Sequence, residues 1–324
     1  MKMPKQTSWQ MRLRQRLLTI LGALALCGIA PSANATSSPQ KSFESPEAGV
    51  SALVDAVTTN DQKLLQSILG KRSRKLLNSG DEVADARNRE AFLKEYDEAN
   101  KIVLEGDTRA TLMIGDDEWP LPIPLVKAGE RWSFDASQGE KEILARRIGA
   151  NELAAIQVCL AIVEAENEYA AQAGTGRGIP HYATRFVSTP GKHDGLYWET
   201  HADETPSPLG PLLAAAADEG YTPSELKALA PYHGYYYKLL TSQGENAPGG
   251  AYDYLVRGKM IGGFAVLAYP ARYAASGVIT FMVNHDGVVY EKDLGRKTME
   301  RAAKITSFDP DPSWRRQSTA NSER

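Results

Sequence analysis

All five histidines (His181, His193, His201, His233, His285) and thirteen of the fourteen tyrosines lie in the second half of this 324-residue chain; Tyr96 is the exception. Such a separation fits two structural units of different make-up. Length agrees, at a soft prior of ~100–200 residues per domain. In each half, helical patterns precede strand patterns. The predicted fold class is therefore α+β, with two domains that each pack helix on an antiparallel β-sheet.

The first unit is expected over residues 43–148. Ser45 precedes Pro46 and an apolar pattern at Val50, Leu53, Val54 and Val57, a helix start with Ser45 as N-cap and Pro46 at the first helical position. Further helices are read at 62–69 and 87–99. Strands then follow at 101–105, 110–114, 121–127 and 131–135, separated by glycine-containing or acidic turns, as in an antiparallel meander. Helices followed by such a sheet resemble the cone of cystatin-like and SnoaL-like folds. Ser137 and Glu140 have capping-box spacing and open a helix to about residue 148.

The second unit is expected over residues 149–308. Asn151 caps a helix to about residue 171, with Leu153, Ile156, Leu160 and Val163 on one face and Cys159 and Ile162 beside them. Glu164, Glu166 and Glu168 read as its solvated face. Residues 174–234 are rich in Gly and Pro and read as irregular, with one helix near 211–219. Strands return at 235–241, 252–256, 263–269, 278–284 and 288–292. The last two join through His285-Asp286-Gly287, a hairpin signal because Asp-Gly accepts positive φ. Residues 309–324, with Pro310, Pro312 and a Ser/Arg/Asn mixture, are expected to be a disordered tail.

The N-terminus carries an address. Lys2, Lys5, Arg12, Arg14 and Arg16 precede an uncharged run from Leu17 to Ile29 and then Pro31-Ser32-Ala33-Asn34-Ala35. This is the basic, apolar and Ala-x-Ala order of a cleavable signal peptide over residues 1–35, with cleavage after Ala35. The 13-residue apolar run is short of the ~18 needed to span a bilayer. No later segment reads as long and uncharged enough to do so. Cys27 follows Leu26, which does not fit a lipoprotein site. The expected location is periplasmic or secreted. Loss of five positive charges takes the net charge from −3 to −8, an acidic balance that argues against nucleic acid as a partner. Only Cys159 remains, so no internal disulfide forms, and its apolar surroundings suit a small buried hydrophobe.

Candidate chemistry is sparse. His193, Asp194, His201 and Asp203 place two imidazoles and two carboxylates within eleven residues, which suits a divalent metal or an acid–base pair in a hydrolase. The spacing matches no familiar ligand pattern, and a polar loop tied to its own backbone accounts for the same residues. No Gly-x-Ser-x-Gly elbow is present. Gly174-Thr175-Gly176-Arg177-Gly178 follows a helix and lacks the Lys-Ser/Thr of a phosphate loop, so no cofactor is implied. Tyrosines gather in the strands. Alternation puts Tyr235 and Tyr237 on one face and Tyr236 on the other, with Tyr252 and Tyr254 sharing a face. They serve either sheet packing or recognition, since tyrosine offers flat apolar area with a polar tip.

Several segments of the second half carry a resemblance: His193-Asp194-Gly195-Leu196-Tyr197-Trp198, Gly234-Tyr235-Tyr236-Tyr237, Ala247-Pro248-Gly249-Gly250-Ala251-Tyr252-Asp253-Tyr254 and Tyr290-Glu291-Lys292-Asp293-Leu294-Gly295. They resemble, in order, the domain-of-unknown-function family numbered 2950, over residues 43–300. The resemblance implies an exported protein of uncharacterised function and carries over no catalytic residue. The helix from Asn151, the following sheet and Ser276-Gly277-Val278-Ile279-Thr280-Phe281 are also similar to type IV pilin globular domains, although the apolar stalk helix is missing. The expectation is a non-enzymatic binding protein that contacts an envelope protein or polymer through Tyr197, Trp198, Tyr236, Tyr252 and Tyr254. A hydrolase or metal-binding protein using the His193/Asp194 loop is the alternative, and a minor component of a pilin-like assembly is a third.

Overall fold

The computed structural model describes residues 40–70, 73–174, 178–200, 204–222 and 230–317. The expected signal segment, His201 and Asp203 lie outside the described residues.

Helix α1 (Pro46–Thr58) starts as its sequence requires: Ser45 Oγ accepts the Ala48 N–H at 3.2 Å, and Val50, Leu53 and Ala56 point inward at helical spacing. Helix α2 (Gln62–Leu69) is capped by Asp61, and the short α3 (Arg74–Leu77) follows. Helix α4 (Glu82–Glu98) is capped by Asp81 and has no fully buried residue along its length. Strands β1 (Asn100–Glu105), β2 (Arg109–Ile114), β3 (Trp119–Pro120), β4 (Leu125–Ala128) and β5 (Arg131–Phe134) form an antiparallel sheet in the order β1-β2-β4-β5, with β3 on β2. Leu65, Ile68, Leu112, Leu125 and Phe134 fill the first core between these helices and the sheet.

Helix α5 (Ala136–Ala173) runs unbroken for 38 residues, where two helices divided near residue 150 were expected. Asp135, not Ser137, is its N-cap. The supposed second cap is spent elsewhere. Asn151 Nδ2 donates to the Ser276 carbonyl at 2.9 Å, and Glu152 Oε1 accepts the N–H groups of Val278 and Ile279. With those side chains clamping the far sheet, nothing competes with the helical backbone, and Gly149 costs the run only about 1 kcal/mol relative to alanine. The early part of α5 packs on the first core through Ala136, Ile143 and Leu144, and the later part on a second core through Ala155, Cys159 and Ile162. A boundary at 148/149 thus falls inside a helix. By length and composition alone α5 is also apolar enough to cross a membrane, contrary to the reading that no later segment is, but in this fold its apolar stripe is covered by the second sheet.

Helix α6 (Gly210–Asp218) precedes the second sheet. Its strands are β6 (Tyr235–Leu240), β11 (Ala265–Pro270), β12 (Ile279–Asn284), β13 (Val289–Asp293) and β14 (Arg315–Arg316), antiparallel in the order β14-β13-β12-β11-β6. Small ladders interrupt the chain between β6 and β11: β7 (Ser242–Gln243) pairs β8 (Tyr252–Asp253), and β9 (Leu255–Val256) pairs β10 (Lys259–Met260). Helix α7 (Thr298–Lys304) follows β13. Residues from Asp309 to Gln317 are not the disordered tail expected. β14 pairs β13, Trp314 is buried, Arg315 pairs with Glu291, and Asp309 Oδ1 accepts the Asn246 N–H at 2.8 Å.

A buried carboxylate joins the two cores. Asp81 caps α4 through Oδ1, while its Oδ2 accepts the Tyr221 hydroxyl and the Gly234 N–H, each at 2.8 Å. Gly234 has φ +73°, and a Cβ there would lie 2.6 Å from Asn151 Nδ2, so the close approach requires glycine. Burial and the adjoining Asp81 charge push the Tyr221 phenol above its usual range. Beside it, Arg87 binds Glu219 at 2.7 Å, and His233 Nε2 lies 3.5 Å from the same carboxylate.

Candidate functional site

The His193 loop is shaped by short hydrogen bonds. Ser188 Oγ accepts the Gly195 N–H at 3.0 Å, and the Ser188 N–H reaches the Tyr197 carbonyl at 2.8 Å. A Cβ on Gly195 would lie 2.8 Å from Ser188 N, so the turn closes only around glycine. Asp194 accepts the Thr189 N–H at 2.7 Å and the Thr189 hydroxyl at 2.9 Å. The Thr189 N–H, with the hydroxyl and Arg185 behind it, holds the Asp194 carboxyl below its ordinary range. Both oxygens therefore brace the loop. The structure gives no hydrogen bond between Asp194 and His193, whose ring stacks on Trp198 with centroids 4.2 Å apart and planes 15° from parallel. Tyr169, on α5, donates its hydroxyl to the His193 carbonyl at 2.8 Å and meets His181 edge-on.

These rings surround open space. Hollows of about 630, 580 and 490 Å³ adjoin, and Trp198 lines all three. Tyr169, His181 and His193 line the first; Tyr197 and Glu199 line the second and third; Glu204 lines the first two. The Trp198 indole N–H is buried without an acceptor among the described residues.

Beneath the site lies a carboxyl group. Glu166, read in the sequence as part of a solvated face, has no exposed surface. Its Oε2 accepts the Ala183 N–H at 2.7 Å, anchoring the segment that carries His181, and Oε1 has no partner among the described residues. Burial pushes its pKa up to about 8, so it is protonated at neutral pH.

Of the five expected contact residues, Tyr197 and Trp198 line the hollows. Tyr236 lies across the sheet, opposite Tyr269 in register and packed against it at 5.6 Å. Tyr252 is 40% exposed, whereas Tyr254 has no exposed surface and donates its hydroxyl to Gln243 Oε1 at 3.0 Å. Their rings meet edge to face with centroids 5.5 Å apart, although the expected strand 252–256 bends at Tyr254 into β8 and β9, which pair with different partners. Tyr254 thus has no surface to offer a partner. His233 belongs to the Glu219–Arg87 junction, where burial lowers its pKa. Among the described residues no group of three or more His, Cys, Asp or Glu side chains is placed to hold a metal ion.

Tyr169, His181 and Glu166 were not singled out from the sequence. Glu166 was legible: it follows Cys159 and Ile162 by seven and four residues, on the apolar stripe of α5. Tyr169 lies three residues beyond it on the same face.

No curated protein and no solved structure matches the chain. A family described as "Protein of unknown function (DUF2950)" matches residues 40–317, which takes in both cores, the Trp198 hollows and the ordered stretch beyond Asp309. The chain belongs to that family.

Proposed function

We propose that this is an exported, non-enzymatic envelope protein that binds a carbohydrate-like polymer in the hollows around Trp198. Export rests on the basic, apolar and Ala-x-Ala order of residues 1–35. Binding rests on one observation: three adjoining hollows share a single tryptophan, with tyrosine and histidine rings beside it. The exposed His193 ring, backed by the buried Trp198 on which it stacks, and the half-buried Tyr197 ring suit the flat apolar faces of sugar rings, and the carboxylates of Glu199 and Glu204 suit their hydroxyls. Space divided into successive hollows suits a chain of units better than one small molecule. A hydrolase or metal-binding role for the His193/Asp194 loop has less support, because both Asp194 oxygens are engaged by Thr189.

The test is co-sedimentation of the protein with insoluble cell-wall glycan. Tyr197→Ala and Trp198→Ala are expected to lose binding, while Tyr236→Ala on the other sheet face keeps it. Near-ultraviolet circular dichroism checks that each variant is folded. Equal retention by the parent and a folded Tyr197→Ala would overturn the proposal, as would no sedimentation of the parent.

A further inference from the structure

Another cavity lies in the first core and shares no lining residue with the Trp198 hollows. It measures about 220 Å³ and opens between α4 and the helices α1, α2, α3 and α5. Leu53, Leu65, Leu76, Phe92, Ile123 and Ile143 make its walls apolar. The cavity exists because α4 sends only half-buried side chains inward: Asp85, Arg89 and Phe92, at i, i+4 and i+7, face it.

Three charged groups stand among the lining residues, and two are occupied. Arg147 donates to the carbonyls of Lys75 and Leu76 at 2.8 and 2.6 Å. Asp85 Oδ2 accepts the Ser79 N–H at 2.9 Å. Arg89 is half-buried and makes no hydrogen bond or ion pair with any described residue. Two guanidinium groups against one carboxylate leave this cavity one positive charge in a chain whose net charge is negative. An apolar space with a single unpaired cation matches an amphipathic monoanion. At roughly 30 Å³ for each heavy group, the share of a water molecule in the liquid, the space holds about seven such groups.

We propose that the first core binds a small amphipathic carboxylate, with an apolar tail of about seven carbons in the cavity and its head on Arg89. The site is independent of the Trp198 hollows, so neither reading depends on the other.

Isothermal titration of the full chain with octanoate, octan-1-ol and acetate tests it. Octanoate should bind saturably at one site, octan-1-ol more weakly, and acetate not at all. Arg89→Gln should weaken octanoate about tenfold, the worth of one charge-assisted hydrogen bond, and leave octan-1-ol unchanged. Leu77→Trp, at a half-buried lining position, should block both. Absence of saturable octanoate binding would overturn the proposal. So would an octanoate affinity indifferent to Arg89→Gln, a variant at a half-buried position that need not disturb the fold.

Discussion

In the second core, four consecutive residues of β11, Ala265 to Ala268, have no exposed surface, whereas α4 beside the first core has no fully buried residue at all. The second core is filled by aromatic residues whose hydroxyls are tied down: Tyr235 to the Ile279 carbonyl, Tyr254 to Gln243, Tyr169 to the His193 carbonyl. The first core is built mostly of leucine and isoleucine and leaves a cavity under one helix. The contrast bears on where each half has room to bind. In the second half the broad, polar-edged hollows lie on the outer loops around Trp198, and the cavity inside the core, beside Ile162 and Tyr237, is only about 70 Å³. A loosely covered core leaves space inside, small and apolar.

The contrast breaks or holds on substitutions in matched aromatic residues. Phe264 is fully buried against Tyr182, with ring centroids 4.7 Å apart, and Phe264→Ala should cost about 3–5 kcal/mol in denaturant unfolding. Phe92→Ala, at the wall of the first cavity, should cost only about 1 kcal/mol, since half-burial leaves little transfer energy to lose. Equal costs would mean that the two cores are filled alike. Next in size is the junction. Asp81→Ala removes the acceptor of Tyr221 and Gly234 and the α4 cap together, and should cost about 2–3 kcal/mol. It should also split one unfolding transition into two when the halves are followed by separate probes.

A further effect, smaller than that of the junction, sharpens the electrostatic side of the comparison. Glu166 is raised by burial from its ordinary value to about 8, so the folded state holds a proton that the unfolded chain gives up near 4.5. Stability from this group is complete at low pH and is lost as pH rises through 8. Between pH 7 and 9 the loss should be about 1–2 kcal/mol, and Glu166→Gln should flatten that slope. A slope unchanged in the variant would locate the titration elsewhere.

Much of the fold could be read from local chemistry. Ser45-Pro46 start α1, and Asp286-Gly287 turn β12 into β13, because caps and tight turns are decided by neighbouring residues. What the sequence obscured was decided by distant partners. Ser276 and the backbone of Val278 and Ile279, more than 120 positions away, take up Asn151 and Glu152 and so keep α5 whole. β13 captures Arg315 and Arg316 from a stretch whose prolines and polar residues look like tail, although Trp314 beside them was a signal of burial. The site was half visible. Tyr197 and Trp198 stood out by composition, but the stacking of His193 on Trp198 depends on a loop closed by Ser188 and Gly195. Tyr169 arrives from a helix that periodicity reads only as core. The cavity under α4 had no local signal, because an unfilled volume belongs to five elements at once.

Helix α5 also bears on how such a chain can be inherited. At 1.5 Å per residue its 38 residues form a rod of about 57 Å that both cores need as a wall. A recombination event near residue 150 would therefore sever a wall of each half rather than a hinge between them. The two halves are bound to travel together, because each is built against the same rod.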